Sequence, residues 1–164
     1  MQVYLLRHAI AVPRGTASFP NDDRPLTEDG IKKMTKAAKG AAKILPTIEI
    51  ILTSPLKRAY ETASILAKAI GAEHRLEICK FLQPNGSMKN VMSTLAKYKD
   101  LQSILIVGHG PDIGFIAAAL LGSTDDFIEF KKGALCCIEV ESIPPKNHGT
   151  LLWHLPPRFL REIE

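Results

Sequence analysis

Short apolar runs alternate along this chain with longer segments of helical periodicity, and this alternation restricts the folds that it can adopt. The run at residues 104–107 is continuously apolar, as expected of a strand covered on both faces. Residues 108–111 lead from it into a helix that ends near residue 122. Strands that alternate with helices predict a three-layer α/β/α sandwich around a mainly parallel central sheet, which is an α/β fold class.

The rest of the chain repeats this pattern. Thr27 suits the N-cap of one helix, and Ser54 followed by Pro55 suits the start of the next. The predicted strands are residues 2–6, 48–53, 75–78, 104–107, 135–140 and 150–155, with the last two antiparallel at an edge. The predicted helices are residues 27–45, 54–70, 87–97 and the segment that ends near 122. The predicted buried stripe of the first helix is Ile31, Met34, Ala38, Ala41 and Leu45.

Length and composition favour one domain. The chain has 164 residues, of which 46% are hydrophobic and 23% charged, close to the average of globular proteins. A chain of this length can bury roughly two thirds of its unfolded surface without metals or disulfides. Because there is no internal repeat and no linker, we expect residues 1–164 to form a single domain.

Several sequence features favour a cytoplasmic location. The longest segment without Asp, Glu, Lys or Arg is residues 113–124, shorter than the roughly 20 residues of a membrane-spanning helix. The first residues lack the pattern of a secretory signal. The three cysteines, Cys79, Cys136 and Cys137, form neither a disulfide framework nor a CxxC motif. Neither a membrane nor a nucleic acid is an expected partner.

Functional residues are predicted at the ends of three strands. The first strand ends in Arg7 and His8, the second leads to Arg58 in the first turn of a helix, and the central strand ends before His109. Ligands of such sheets bind beyond the carboxyl ends of the strands. Arginine side chains match phosphate oxygens, and helix N-termini bind anions. The expected ligand is therefore a phosphoryl group.

Two imidazoles beside a phosphate indicate catalysis. Imidazole is nucleophilic near neutral pH, so it can accept a phosphoryl group, while a second imidazole can stabilise the transferring group. Neither a metal nor a cofactor is expected. The spacing does not decide whether His8 or His109 attacks. The alternative, in which each histidine only packs at a strand end, stays open here.

Four ordered segments resemble the histidine phosphatase superfamily, whose fold is phosphoglycerate-mutase-like. They are LLRHA at residues 5–9, RPLTEDG at 24–30, TSPLKRAYET at 53–62 and VGHGP at 107–111. Their order and the small size of the chain resemble most closely the SixA-like phosphohistidine phosphatases. The resemblance extends from residue 1 to about residue 121.

The resemblance implies a role for each motif residue. His8 corresponds to the nucleophile that becomes transiently phosphorylated, with Arg7 and Arg58 binding the phosphate. His109 corresponds to the second histidine, which stabilises and binds the transferring group. Arg24 is a weaker candidate, which either orients the loop at the active site or forms a structural ion pair.

The sequence departs from the superfamily pattern in two places. The usual motif is Arg-His-Gly, whereas this chain has Ala9, so a positive φ after the nucleophile would be costly. Many members also carry an acidic proton donor in the segment that resembles residues 81–86, which contains no carboxylate here. A phosphohistidine expels neutral imidazole, which needs less acid assistance than an alkoxide. The missing acid therefore favours a P–N substrate, unless Glu77, Asp112 or a residue of the loop 9–26 replaces it.

The leading hypothesis is a metal-independent phosphatase that hydrolyses phosphohistidine on a protein through a phospho-His8 intermediate. The expected partners are phosphate and a phosphohistidine-bearing protein, such as a histidine phosphotransfer domain or a phosphocarrier. One alternative is a phosphomonoesterase or mutase that acts on small phosphate esters. A second alternative is a non-catalytic module that binds phosphate or phosphohistidine.

Overall fold

A mixed six-stranded sheet forms the centre of the protein. The computed structural model describes residues 1–123 and 127–163. The strands are β1 (Gln2–Arg7), β2 (Ile50–Thr53), β3 (Leu76–Ile78), β4 (Ser103–Gly108), β5 (Leu135–Glu139) and β6 (Thr150–Leu155). The helices are α1 (Glu28–Ile44), α2 (Lys57–Ala69), α3 (Met88–Leu95), α4 (Asp112–Leu120) and α5 (Pro157–Leu160).

The strand order is β3-β2-β4-β1-β5-β6. Strands β3, β2, β4 and β1 are parallel, whereas β5 pairs antiparallel with both β1 and β6. In the β1–β4 ladder Arg7 lies opposite Gly108, and in the β2–β4 ladder Thr53 lies opposite Val107. The three strands that precede the predicted functional residues therefore end side by side.

The two faces of the sheet carry separate apolar cores. Leu6 and Val107 pack with residues of α1 and α2 on one face. Leu5 and Ile106, their neighbours along the strands, pack with residues of α3 and α4 on the other. This alternation is the side-chain period of a β-strand buried on both faces. The predicted three-layer α/β class is confirmed, with β5 and β6 antiparallel to each other and β6 at the sheet edge.

The buried face of α1 differs from the predicted stripe. Thr27 caps the helix as expected, since its hydroxyl accepts the N–H of Gly30 at 2.9 Å. Ile31 is 44% exposed, so its place in the buried stripe is wrong. A Cβ atom at Gly30 would collide with the carbonyl of Ile10, which shows how closely the helix approaches that loop. The buried residues of α1 are Gly30, Met34, Ala37, Ala38, Gly40 and Ala41.

The start of α2 also differs from the prediction. The helix begins at Lys57 with Leu56 in the cap position, so the assignment of Ser54 as N-cap is wrong. The carboxylate of Asp23, from the loop before α1, accepts the N–H of Lys57 at 2.7 Å. A distant acidic side chain thus satisfies an N–H at the helix N-terminus and leaves Ser54 for another contact. Within residues 1–123 and 127–163, no helix has both the length and the apolar character needed to cross a bilayer.

Candidate active site

The neighbouring strands β1 and β4 bring the two predicted catalytic histidines together. His8 follows the last residue of β1 and His109 follows the last residue of β4. Their ring centroids lie 5.2 Å apart, and the ring planes are tilted by 55°. Both side chains are buried, with exposed fractions of 6% and 2%.

The hydrogen bonds around His8 define its tautomer. Its Nδ1 lies 2.7 Å from the carbonyl oxygen of Ala9, and because a carbonyl only accepts, Nδ1 carries the proton. The lone pair is therefore on Nε2. The N–H of Ala9 donates to Oγ1 of Thr62 at 3.0 Å, which fixes the backbone next to the histidine. Among the described non-glycine residues only Asp22 and Asn85 have positive φ, so Ala9 replaces the usual glycine without that strain.

Ser54 orients the second histidine. Its Oγ lies 2.8 Å from Nε2 of His109 and also accepts the N–H of Leu56 at 3.4 Å. We assign the hydroxyl proton to the bond with Nε2, because among the described residues Nε2 is the acceptor in hydrogen-bond contact with the Ser54 hydroxyl, whose other contact is the donor N–H of Leu56. Nδ1 of His109 then carries a proton. The orienting residue comes from the end of β2, the third strand that meets at this edge.

The guanidinium groups of Arg7 and Arg58 are held by their terminal nitrogens. Nη1 of Arg7 donates to the carbonyl of Phe130 at 2.5 Å. Nη1 of Arg58 donates to the carbonyl of Asp22 at 2.6 Å, and Nη2 donates to its carboxylate at 3.2 Å. Both arginines keep Nε free of any protein partner.

Unpartnered buried nitrogens concentrate at this site. In the described part of the chain, the buried side-chain nitrogens without a hydrogen-bond partner are Nε of Arg7, Nε of Arg58, Nδ1 of His109 and Nε2 of His154. Three of these four belong to the site, whereas His154 lies on β6 against the ring of Phe130. Buried polar groups in native proteins are almost always paired, so three such donors indicate a ligand rich in acceptor oxygens.

Burial favours the neutral form of both histidines. Burial lowers the pKa of His8 to about 3, and the positive charges of Arg58 and Arg7 act in the same direction. Burial likewise lowers the pKa of His109 to about 3, assisted by His8 and Arg58. A neutral His8 with its lone pair on Nε2 is the form of imidazole that can act as a nucleophile.

Arg24 lies beside the site, and its side-chain hydrogen bonds go to Asp22 and Val12. It is 8% exposed, and its Nε donates to the Asp22 carboxylate at 2.7 Å. Its Nη1 donates to the carbonyl of Val12. The two alternative roles predicted for Arg24 from the sequence, a structural ion pair and the orientation of the loop 9–26, therefore occur together.

The three candidates for a substitute acid have different surroundings. Glu77 lies on the edge strand β3, where its carboxylate accepts the hydroxyl of Tyr98 at 2.9 Å. Of the two carboxylates in the loop 9–26, Asp22 is held between Arg24 and Arg58, and Asp23 accepts the N–H of Lys57. Asp112 lies in the first turn of α4, and its carboxylate accepts the N–H of Asn85 at 3.3 Å.

A cavity of about 260 Å³ adjoins His109 and Asp112. Apart from Gln83 and these two side chains, its side-chain lining is apolar. The apolar residues are Phe81, Leu82, Met88, Val91, Ile113, Phe115, Ile116 and Ala119. In the part of the chain that the structure describes, no group of three or more His, Cys, Asp and Glu side chains is arranged to hold a metal ion.

Three residues of the site were not predicted from the sequence: Asp22, Ser54 in its contact with His109, and Thr62. The segments RPLTEDG and TSPLKRAYET lie next to them or contain them. The only sequence signal for these residues was therefore that they lie in or next to a motif. Such a signal does not specify which partner each side chain contacts.

The comparisons with known proteins agree with one another on the family. Residues 3–83 match the histidine phosphatase superfamily (branch 1). An uncharacterised protein of Picosynechococcus sp. is 35% identical over 139 residues, which cover 82% of each chain. The phosphohistidine phosphatase SixA homolog of Haemophilus influenzae is 32% identical over 133 residues, covering 74% of this chain and 78% of the relative. The structure of the protein histidine phosphatase SixA complexed with tungstate has 27% identity and a TM-score of 0.84, covering 98% of this chain and 99% of that one.

Fold, site and relatives together define the class: the chain belongs to the histidine phosphatase superfamily, a group of phosphatases. Within it, the relatives that match over most of the chain include the SixA phosphohistidine phosphatases. The resemblance of the sequence to this superfamily is thereby confirmed.

Proposed function

We propose that this protein hydrolyses phosphohistidine on a protein partner through a covalent phospho-His8 intermediate. The observation that carries the proposal is the group of three unpartnered N–H donors beside the free lone pair of His8 Nε2. A buried donor without a partner costs about 1–3 kcal/mol, which a bound phosphoryl group would recover. Tungstate is a tetrahedral oxyanion like phosphate, so its presence in the solved SixA relative supports this use of the site.

In the first step, Nε2 of His8 attacks the phosphorus of the substrate. The P–N bond breaks and its electron pair remains on the leaving imidazole. Nδ1–H of His8 stays hydrogen-bonded to the carbonyl of Ala9, which stabilises the positive charge that develops on the ring. The free donors of Arg7, Arg58 and His109 are suited to bind the phosphoryl oxygens as charge shifts.

In the second step, water attacks the phosphorus of phospho-His8. The P–Nε2 bond breaks, its electron pair returns to Nε2, and one water proton passes to phosphate or solvent. Because Nδ1 remains protonated, His8 leaves as a neutral imidazole, which is the form that burial favours. Orthophosphate is released and the starting state is restored.

The surroundings of the site favour phosphohistidine over a sugar phosphate. A phosphohistidine protonated on its other ring nitrogen leaves as neutral imidazole and so needs no acid. Asp22 is a poor acid, because Arg24 and Arg58 outweigh the effect of burial and lower the pKa of its carboxyl. The apolar cavity beside His109 also offers few partners for sugar hydroxyls. Unpaired hydroxyls would weaken the binding of such a substrate.

A protein partner is supported by exposed aromatic side chains near the site. Phe115 lines the cavity beside His109, and Phe127 lines a second cavity of about 270 Å³ that includes Arg7. The two rings are 5.6 Å apart and are 37% and 55% exposed. Aromatic side chains are enriched in protein interfaces. A histidine phosphotransfer domain or a phosphocarrier is a partner of the required chemistry.

Labelling with a phosphodonor tests the proposal. The wild-type protein, incubated with a ³²P-labelled phosphotransfer domain, should acquire an acid-labile label and release orthophosphate. His8→Ala should lose both while remaining folded, and His74→Ala, at an exposed histidine, should lose neither. Normal turnover by His8→Ala would contradict the intermediate. Binding of the phosphoprotein without label would indicate a non-catalytic module, and faster turnover of sugar phosphates would indicate a phosphomonoesterase.

A further inference from the structure

Arg58 is oriented almost entirely by one residue. Its side chain is 2% exposed, and it donates two side-chain hydrogen bonds to Asp22, one to the carbonyl and one to the carboxylate. A guanidinium is planar, so fixing the two terminal nitrogens also fixes the direction of Nε–H. Nε is the donor of Arg58 that has no protein partner.

Asp22 is itself held in place. Its φ of 57° is in the left-handed region, which Asp and Asn tolerate better than most residues. Its N–H donates to the carbonyl of Phe19 at 3.2 Å. Its second carboxylate oxygen accepts Nε of the buried Arg24 at 2.7 Å. The Asp22 carboxylate thus bridges the two buried arginines Arg24 and Arg58, and of these only Arg58 has an Nε without a protein partner.

The loop around Asp22 is attached to α2 on both sides. The Asp23 carboxylate accepts the N–H of Lys57 at 2.7 Å. The Glu61 carboxylate accepts the N–H of Leu26, also at 2.7 Å. Since Arg58 lies on α2 between these attachments, loop and helix are joined as one unit, in which Asp22 sets the orientation of the arginine.

We propose that Asp22 is a positioning residue, which aims Nε–H of Arg58 at the phosphoryl group during transfer. The proposal rests on the proposed function for the reaction, although binding of inorganic phosphate tests it independently. The competing explanation is that Asp22, like Asp23, only anchors the loop.

Three variants separate these explanations. Asp22→Gly removes the carboxylate but keeps the backbone carbonyl and suits the positive φ. Asp22→Asn keeps a side-chain oxygen and tolerates the same φ but lacks the charge. Asp23→Gly removes the neighbouring carboxylate, which contacts only backbone at the start of α2.

The measurements are the inhibition constant of inorganic phosphate, kcat and KM for the phosphohistidine protein, and Tm. For Asp22→Gly we expect phosphate binding and kcat/KM to fall about 10- to 100-fold, the range of a lost charged hydrogen bond. Asp22→Asn should recover a large part of the loss. Asp23→Gly should also lower Tm, with less than about a threefold change in phosphate binding.

Equal effects of Asp22→Gly and Asp23→Gly on phosphate binding would overturn the proposal, as would unchanged kinetics in Asp22→Gly. Failure of the proposed function has a different signature. In that case the wild-type protein would not dephosphorylate phosphohistidine, while the loss of phosphate binding in Asp22→Gly would still be observed.

Discussion

Gly110 lies so close to Arg7 that a Cβ atom at position 110 would be 2.8 Å from Cζ of the guanidinium. The guanidinium also donates through Nη1 to the carbonyl of Phe130. Arg7 is therefore positioned by a close contact with a glycine and by a backbone acceptor. The glycine is required by this contact and not by its φ, which is not positive.

Gly110→Ala should displace Arg7 and reduce activity. A displacement of about 1 Å in a group that binds the transferring phosphate can cost roughly 100-fold in kcat/KM. Gly108→Ala is the matched control, because a Cβ there would meet Ile113 at an ordinary 3.5 Å. Steady-state kinetics of both variants, with Tm as a check of folding, measure the difference. Similar losses in the two variants would contradict the role of the Gly110–Arg7 contact.

Ser54→Ala should impair the second histidine. Without the hydroxyl, Nε2 of His109 loses its partner and Nδ1 is no longer fixed as the protonated nitrogen. We expect kcat to fall about tenfold or more, the equivalent of one hydrogen bond of about 1.4 kcal/mol. Thr53→Val removes the adjacent hydroxyl, which donates only to the carbonyl of Ser54, and should retain most of kcat. A larger kinetic defect in Thr53→Val than in Ser54→Ala would refute this assignment.

Thr62→Val should destabilise the protein and weaken the nucleophile. The hydroxyl accepts the N–H of Ala9 and donates to the carbonyl of Arg58 at 2.6 Å, so it joins the segment that follows β1 to α2. Loss of the hydroxyl leaves a buried N–H unpaired, at a cost of about 1–3 kcal/mol in the free energy of unfolding. Thr62→Ser keeps the hydroxyl and should lose less stability and less activity. Urea unfolding and phosphoenzyme formation test both effects. If Thr62→Ser were less stable than Thr62→Val, packing of the Thr62 methyl group would contribute more to stability than the hydrogen bonds of the hydroxyl.

Stability should fall on mild acidification. In the unfolded chain His8 and His109 bind protons near pH 6.5, whereas burial lowers their pKa to about 3 in the folded protein. The unfolded state therefore binds more protons between these values. Each histidine should lower the free energy of unfolding by up to about 1.4 kcal/mol per pH unit below pH 6.5. Urea titrations at pH 7.5, 6 and 5 measure this slope.

His8→Gln and His109→Gln should each reduce the slope between pH 6 and 5, because a glutamine binds no proton. Above pH 7.5 neither substitution should change the slope. If both variants keep the wild-type dependence of the free energy of unfolding on pH between pH 6 and 5, the two histidines do not cause the loss of stability in acid.

Much of the fold could be predicted because its signals are local. The apolar run at residues 104–107 belongs to β4, which is buried along its whole length. Ile31 was wrongly predicted to be buried. The close approach of Gly30 to Ile10 places the small residues of α1 on its buried face and leaves Ile31 outside it. Periodicity alone does not report which face of a helix another segment can approach that closely.

The sequence was less informative about the contacts that orient the site. The motifs indicated which histidines and arginines converge, but Asp22 contacts Arg58 across 36 residues and Thr62 contacts Ala9 across 53. Ser54 carried a clear local signal for a helix cap, yet its hydroxyl accepts only the N–H of Leu56 at the start of α2 and makes its shorter contact with His109. Long-range hydrogen bonds of this kind depend on the assembled fold and leave no periodic pattern.

The β1–β4 ladder keeps its register up to Arg7 and Gly108, the residues immediately before the two histidines. Continuous backbone pairing therefore sets the spacing of the imidazoles, independently of the loops that surround them. The apolar cavity, in contrast, is lined largely by side chains of the segment 81–91 and of α4, which lie outside this ladder. Such a scaffold can change its substrates during evolution while it keeps the same phosphoryl chemistry.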